Sequence, residues 1–164
     1  SDVYKRQLLI DCPEIDSCMP EKLEKLAAGR FPKIILTSRE AHSNFKNLRK
    51  VFDWHALLQE QESYLLPGFE GIETFSEEYS MDCGIKLLWT PGRTPGSCIA
   101  YAPPPRNVLF CGRLLIPVGR NSLSPVRTKM TFHWPMQQNS LKKICEWLPS
   151  EPVSYTHLTL PTKA

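Results

Sequence analysis

No apolar stretch of this 164-residue chain approaches the roughly 20 residues that a membrane span needs. Runs of Lys or Arg are missing too, and the formal net charge of +3 is small for the length, so neither nucleic acid nor an anionic membrane is expected as a partner. The six cysteines (Cys12, Cys18, Cys83, Cys98, Cys111 and Cys145) form no CxxC pair and no zinc-finger spacing. Several sit inside apolar runs, as in Leu109-Phe110-Cys111-Gly112, which points to buried, reduced thiols in a cytoplasmic protein. There is no G-x-S-x-G elbow, no P-loop and no GxGxxG, so these routes to serine hydrolysis and nucleotide binding are not legible. The first residues hold a basic pair, Lys5-Arg6, but no apolar region or small-residue cleavage site, unlike a secretory signal.

What remains is ordinary: 41% apolar and 23% charged residues, enough chain for one domain with a real core. Both ends nevertheless look foreign. Residues 1–7 and 153–164 resemble peptides made when sequencing-adapter DNA is translated at the edges of assembled environmental or transcript reads. The tail follows Pro149 and Pro152 and carries no helical period. The expected division is therefore 1–7 as artefact, 8–152 as a partial domain and 153–164 as artefact, and His157 is set aside with the tail.

Between those ends, Leu8-Leu9-Ile10 reads as a buried strand that stops before Cys12-Pro13. Residues 20–28 open with Pro, place Leu23 and Leu26 on one face and stop at Gly29, the pattern of a short helix. A second buried strand follows over 33–37. Phe45, Leu48, Val51 and Phe52 then recur at helical spacing over 44–52, while 54–66 are mixed, with a strand placed near Trp54–Leu58. From Gly84 the pattern is strand-rich, over 85–89, 97–101 and 107–110, with Pro-Gly turns between. A last helical period runs over 138–148. Strands and helices in this order predict an α/β layered domain.

Two stretches carry a more specific likeness. Thr90-Pro91-Gly92-Arg93-Thr94-Pro95-Gly96-Ser97 resembles the TPGHTPGS segment of the metallo-β-lactamase superfamily, and residues 107–115 (NVLFCGRLL) resemble its VLFTGDTLF segment a short distance downstream. Upstream, Ile34-Ile35-Leu36-Thr37-Ser38 is similar to the strand leading into that family's THxHxDH loop, and residues 8–12 to its LIDCG strand. The resemblance implies the four-layer αββα sandwich, here truncated at both ends. Such a fragment is expected to expose apolar strand edges and to be poorly soluble.

The resemblance also implies a metal site, with loops at strand ends presenting imidazoles and a bridging Asp to one or two ions that activate a water. At the former metal-site positions this chain has Ser38, Glu40, His42 and Ser43, then Arg93 for the His of TPGHTPGS and Arg113 for the bridging Asp. A guanidinium has no lone pair to give a metal, so only Glu40 and His42 remain as candidate donors. No metal cofactor is expected on this register. Arg93 and Arg113 are expected to stand in for the metal charge, to pair with Glu40 and to offer an anion-binding cleft to a small carboxylate or phosphate ligand. Solvated arginines on relaxed loops are the plainer alternative. Two other functions stay open: a thioesterase- or glyoxalase-type hydrolase holding zinc or iron through a rearranged ligand set, and a structural or interaction module.

Other polar residues have plainer readings. His55 is expected as a core or edge histidine. His133-Trp134-Pro135 resembles an FHWP segment of a subgroup from cyanobacteria and related phototrophs, but reads more simply as an aromatic corner orienting the next helix. Gly119-Arg120-Asn121 resembles the family's GR-D segment without its acid. Asp11 suits loop capping at a strand end, and Asp53, Asp82, Glu77 and Glu78 read as solvated charges.

Overall fold

The computed structural model of the chain describes residues 8–120, 122–149 and 154–156, the last three by their backbone alone. Asn121, His157 and most of both suspected artefact segments lie outside the described residues. The first sheet has the order β1 (Leu8–Ile10), β2 (Lys33–Leu36), β3 (Ala56–Gln59), β4 (Ile72–Phe75), and every neighbouring pair is parallel. The second contains β5 (Glu78–Ser80), β6 (Lys86–Trp89), β7 (Cys98–Ala102) and β8 (Val108–Phe110) in antiparallel succession. A strand β11 (Ser154–Thr156), inside the tail set aside above, runs parallel to β8 at the sheet edge. A small ribbon of β9 (Ile116–Pro117) and β10 (Leu123–Ser124) stands apart from both sheets.

The layering follows from strands that are apolar on both faces. In β2, Ile34 and Leu36 join the cluster under α1 (Met19–Ala27) and α2 (His42–Arg49), while Ile35 between them faces the second sheet. Ala56, Leu57 and Leu58 of β3 alternate in the same way. In the second sheet Leu87 points to the middle layer, and Leu88 points outward to Ile144 of α3 (Trp134–Trp147). Three separate cores therefore fill three interlayer spaces: helices on sheet, sheet on sheet, sheet on helix. That is the expected αββα arrangement. Among the described residues no helix is long and apolar enough to cross a membrane.

Several details depart from the sequence reading. The second helix starts at His42 rather than Asn44, through a 3-10 turn over Arg39–Ala41, and ends at Arg49. Val51 is left 53% exposed, because the chain turns back with Phe52 N–H donating to Leu48 O (2.9 Å) and the Phe52 ring stacking on Trp54 at 4.3 Å. β3 begins two residues later than expected, and His55 before it is exposed, its ring lying against Gly71. The third helix starts four residues early, at Trp134, because His133 caps it: His133 Nδ1 accepts from Met136 N–H at 3.1 Å. The plain reading of His133 as the corner that orients this helix fits that contact.

The buried face of α2 is made by His42, Phe45 and Leu48. His42 is 5% exposed, and neither ring nitrogen has a hydrogen-bond partner among the described residues. Burial holds its pKa down to about 4, with Lys46 and Arg39 adding like-charge repulsion. Because the folded value lies below the ordinary 6.5, protonation favours the unfolded chain, so stability falls as pH drops below about 6.5 and levels off below about 4. Denaturant titrations at pH 7 and pH 4 are expected to show a loss on the order of 3 kcal/mol that His42→Met removes. Phe45, fully buried and 5.8 Å from the Phe69 ring centroid, gives a second check. Phe45→Ala is expected to cost about 3–5 kcal/mol in urea unfolding.

Candidate functional site

Four strand ends meet at one edge of the sandwich. The parallel register of β1 and β2 sets Ile10 beside Ile35, so Asp11 and Thr37 leave their strands close together. Asp11 N–H donates to Ile35 O at 2.7 Å, and the residue then turns with a φ of 58°. Its carboxylate accepts from Thr37 N–H (2.7 Å) and from the Thr37 hydroxyl (2.6 Å), tying the two strand ends together. Burial pushes the Asp11 carboxyl above its usual range; the Thr37 bonds and Arg113 pull it down, and Glu40 pushes it further up. Thr37 O accepts from Cys98 N–H at 2.8 Å, which brings in β7 from the opposite sheet. The loop after β8 passes so close that a Cβ on Gly112 would lie 2.8 Å from Thr37 Oγ1, and its φ of +55° also favours glycine.

The loop carrying Arg93 is held from several sides. Thr90 N–H donates to Ser97 O at 2.8 Å, and the Ser97 hydroxyl returns a bond to Thr90 O at 2.5 Å. Trp89 Nε1 donates to Pro95 O (2.9 Å), and Gly96 N–H donates to the buried Glu62 carboxylate (2.9 Å). At Gly92 a Cβ would fall 2.3 Å from Gln137 Cα, so the first turn of α3 rests on the loop backbone.

On this frame Glu40 lies between the two arginines. Arg93 Nε donates to Glu40 Oε1 at 2.8 Å, and Arg93 Nη1 donates to Thr128 Oγ1 at 2.7 Å. Arg113 Nη1 sits 3.1 Å from Glu40 Oε2, an ion pair by distance without the alignment of a hydrogen bond. Side-chain exposure is 11% for Arg93, 15% for Glu40 and 38% for Arg113, so the first pair is largely desolvated and Arg113 faces water. Two guanidiniums share the Glu40 carboxylate, and the buried Asp11 carboxyl lies close enough to feel the charges of Arg113 and Glu40.

The other positions that the sequence resemblance marks, Ser38, His42 and Ser43, do not converge on it. Ser38 caps the 3-10 turn, its hydroxyl accepting from Glu40 N–H at 3.3 Å. His42 is packed into the helix layer, two residues beyond Glu40 and so on a different side of the turn. Ser43 is exposed and lines a shallow depression with Lys46 and Phe69. Among the described residues no group of three or more His, Cys, Asp or Glu side chains is placed to hold a metal ion. The donor chemistry does not fit the centre that the sequence resemblance implies: on that register the ligand positions include Arg93 and Arg113, which have no lone pair to give, and both Glu40 oxygens face them. Three participants had no sequence signal. Thr128 sits 35 residues after Arg93 in an irregular loop, while Glu62 and Gln137 look like surface residues in a one-dimensional reading. A cavity of about 580 Å3 opens at the other end of the strands, among Leu8, Lys33, His55 and Tyr79.

No family model matches the chain, and no curated protein matches it. Solved structures do. A quorum-quenching N-acyl homoserine lactone lactonase superposes with a TM-score of 0.68 at 14% identity, covering 92% of this chain and 73% of the lactonase. TTHA1623 in a di-iron-bound form gives 0.64 at 22% identity, covering 92% and 81%. The B3 metallo-β-lactamase BLEG-1 gives 0.62 at 20%, covering 93% and 80%. Together with the three-core layering and the order of the loop segments, these likenesses establish that the chain has the metallo-β-lactamase fold.

Proposed function

We propose that this chain is a metal-free protein of the metallo-β-lactamase fold that binds an anionic small molecule at the Arg93–Glu40–Arg113 cluster. The observation that carries this reading is the sharing of Glu40 between two guanidiniums. In a centre of the family's kind, metal ions supply positive charge that fixed carboxylates and imidazoles surround. Here the positive charge is covalently attached, and among the described residues Glu40 is the carboxylate in direct contact with it. Arg113 keeps its guanidinium open to solvent, where a carboxylate or phosphate can form bidentate contacts. Arg93, bonded to Glu40 and Thr128, positions the cluster.

A second reading has a specific observation behind it. Structural neighbours include a di-iron protein and an N-acyl homoserine lactone hydrolase with product bound at its catalytic metal centre. A hydrolase of that general type, using Glu40 and His42 as donors to zinc or iron, requires Glu40 to leave both arginines and His42 to leave the core. Fold likeness alone does not carry chemistry across such a change in donors.

Metal analysis of the purified protein after growth in added zinc separates the two. Less than about a tenth of an ion per chain is expected, whereas one or two zinc or iron ions per chain would overturn the metal-free reading. The charge cluster makes its own prediction. Glu40→Gln strands the largely buried Arg93 and is expected to cost about 2–3 kcal/mol in urea unfolding. Arg113→Gln, at the exposed side, is expected to cost under about 1 kcal/mol while abolishing binding of acetate or phosphate in calorimetric titrations. Equal, negligible effects of both substitutions on stability and binding would leave only an inert scaffold.

A further inference from the structure

Between Asp82 and Glu146 the chain has no acidic residue but nine Lys or Arg. Several of these lie in the segment that runs from Arg113 through the β9–β10 ribbon and back to Arg93. Arg120 is at the exposed ribbon turn, which is closed by Val118 N–H donating to Ser122 O at 2.8 Å. Arg127 and Lys129 flank Thr128 and are exposed, with no carboxylate partner among the described residues. The same segment leaves large apolar side chains in water: Met130 is 66% exposed, Phe132 51% and Val118 45%.

Their position relative to the arginine cluster is fixed by hydrogen bonds. Thr128 Oγ1 accepts from Arg93 Nη1 and also from Met130 N–H, at 3.1 Å. Thr128 N–H donates to the Thr131 hydroxyl at 2.9 Å, and Thr131 N–H donates back to Thr128 O at 3.1 Å, closing a tight turn. Phe132 N–H then donates to Arg93 O (3.2 Å) and His133 N–H to Gly92 O (2.9 Å). Met130 and Phe132 thus sit on a turn locked to Arg93 itself, beside the arginine cluster. The exposed cations Arg113, Arg120, Arg127 and Lys129 attract anionic ligands to the side of the cluster away from Glu40, and the exposed apolar side chains beside them gain by covering a hydrocarbon chain.

We propose that the cluster takes a soluble single-chain anionic amphiphile of the fatty-acid type, with its carboxylate at Arg113 and its chain along Met130 and Phe132. This rests on the anion-binding reading above and adds the apolar half of the ligand. The test is calorimetric titration of the folded chain with decanoate, acetate and decanol, all below micellar concentration, and with phosphatidylglycerol vesicles. Decanoate is expected to bind at least about tenfold more tightly than either acetate or decanol. Replacing Met130 and Phe132 together by Ser is expected to bring decanoate to within about threefold of acetate, with acetate binding and the unfolding midpoint unchanged. Arg113→Gln is expected to abolish acetate binding and to weaken decanoate. Decanoate binding no tighter than acetate, full decanoate affinity in the double variant, or binding to vesicles alone would each overturn this proposal and leave simple anion binding to stand or fall on the acetate result. If neither acetate nor decanoate binds, the anion-binding reading itself is overturned, and this proposal with it.

Discussion

The contact between the two sheets constrains everything at the site. Ile35 and Leu57 of the first sheet face Leu87 of the second, and β7 contributes only Cys98, Ala100 and Ala102 to the same layer. Small side chains on a central strand let the sheets close over the larger ones with little void. The closeness is carried to the sheet edge, where Cys98 N–H reaches Thr37 O and the Gly112 backbone passes over Thr37. Loops from strands far apart in sequence are thereby delivered to one place. Without that middle layer Glu40, Arg93 and Arg113 would belong to unrelated loops.

Given such convergence, a fold of this kind must manage a concentration of charge where strand ends meet. A metal centre does so with mobile ions, whose binding can be lost to a chelator. Between Arg93, Glu40 and Arg113 the charges meet one another directly. Glu40 and Arg93 are both largely out of water, where an isolated charge is costly and a paired one is tolerated. Asp11, at the end of β1 on the same edge, is spared full desolvation cost by two bonds from Thr37 and by the proximity of Arg113. The cluster is thus a local stabiliser of the edge where these strands end.

How much of this could be read in advance depended on whether the signal was local. Ile34-Ile35-Leu36 and Leu87-Leu88 are apolar in succession because both faces are covered, and such runs announce a buried strand. Ile72–Phe75 and Glu78–Ser80 announce nothing, since an edge strand with Glu73 and Thr74 exposed looks like a polar loop. In the sequence His42 reads as a metal donor, and its burial against the helix layer depends on a helix start that no capping side chain marks. The positions of Glu40, Arg93 and Arg113 were legible only through the order of family segments. Thr128 was not legible at all, because a bond across 35 residues of irregular chain leaves no pattern in either partner's surroundings.

The seating of α3 on Gly92 has a consequence for how such a site changes over time. The backbone at this loop is fixed by the helix turn on one side and by Glu62 and Ser97 on the other, and none of these contacts uses the side chain at position 93. The loop is a mounting, and the residue it presents is interchangeable. A lineage could therefore exchange an imidazole for a guanidinium here in a single step, altering the chemistry of the edge while the architecture around it stays in register.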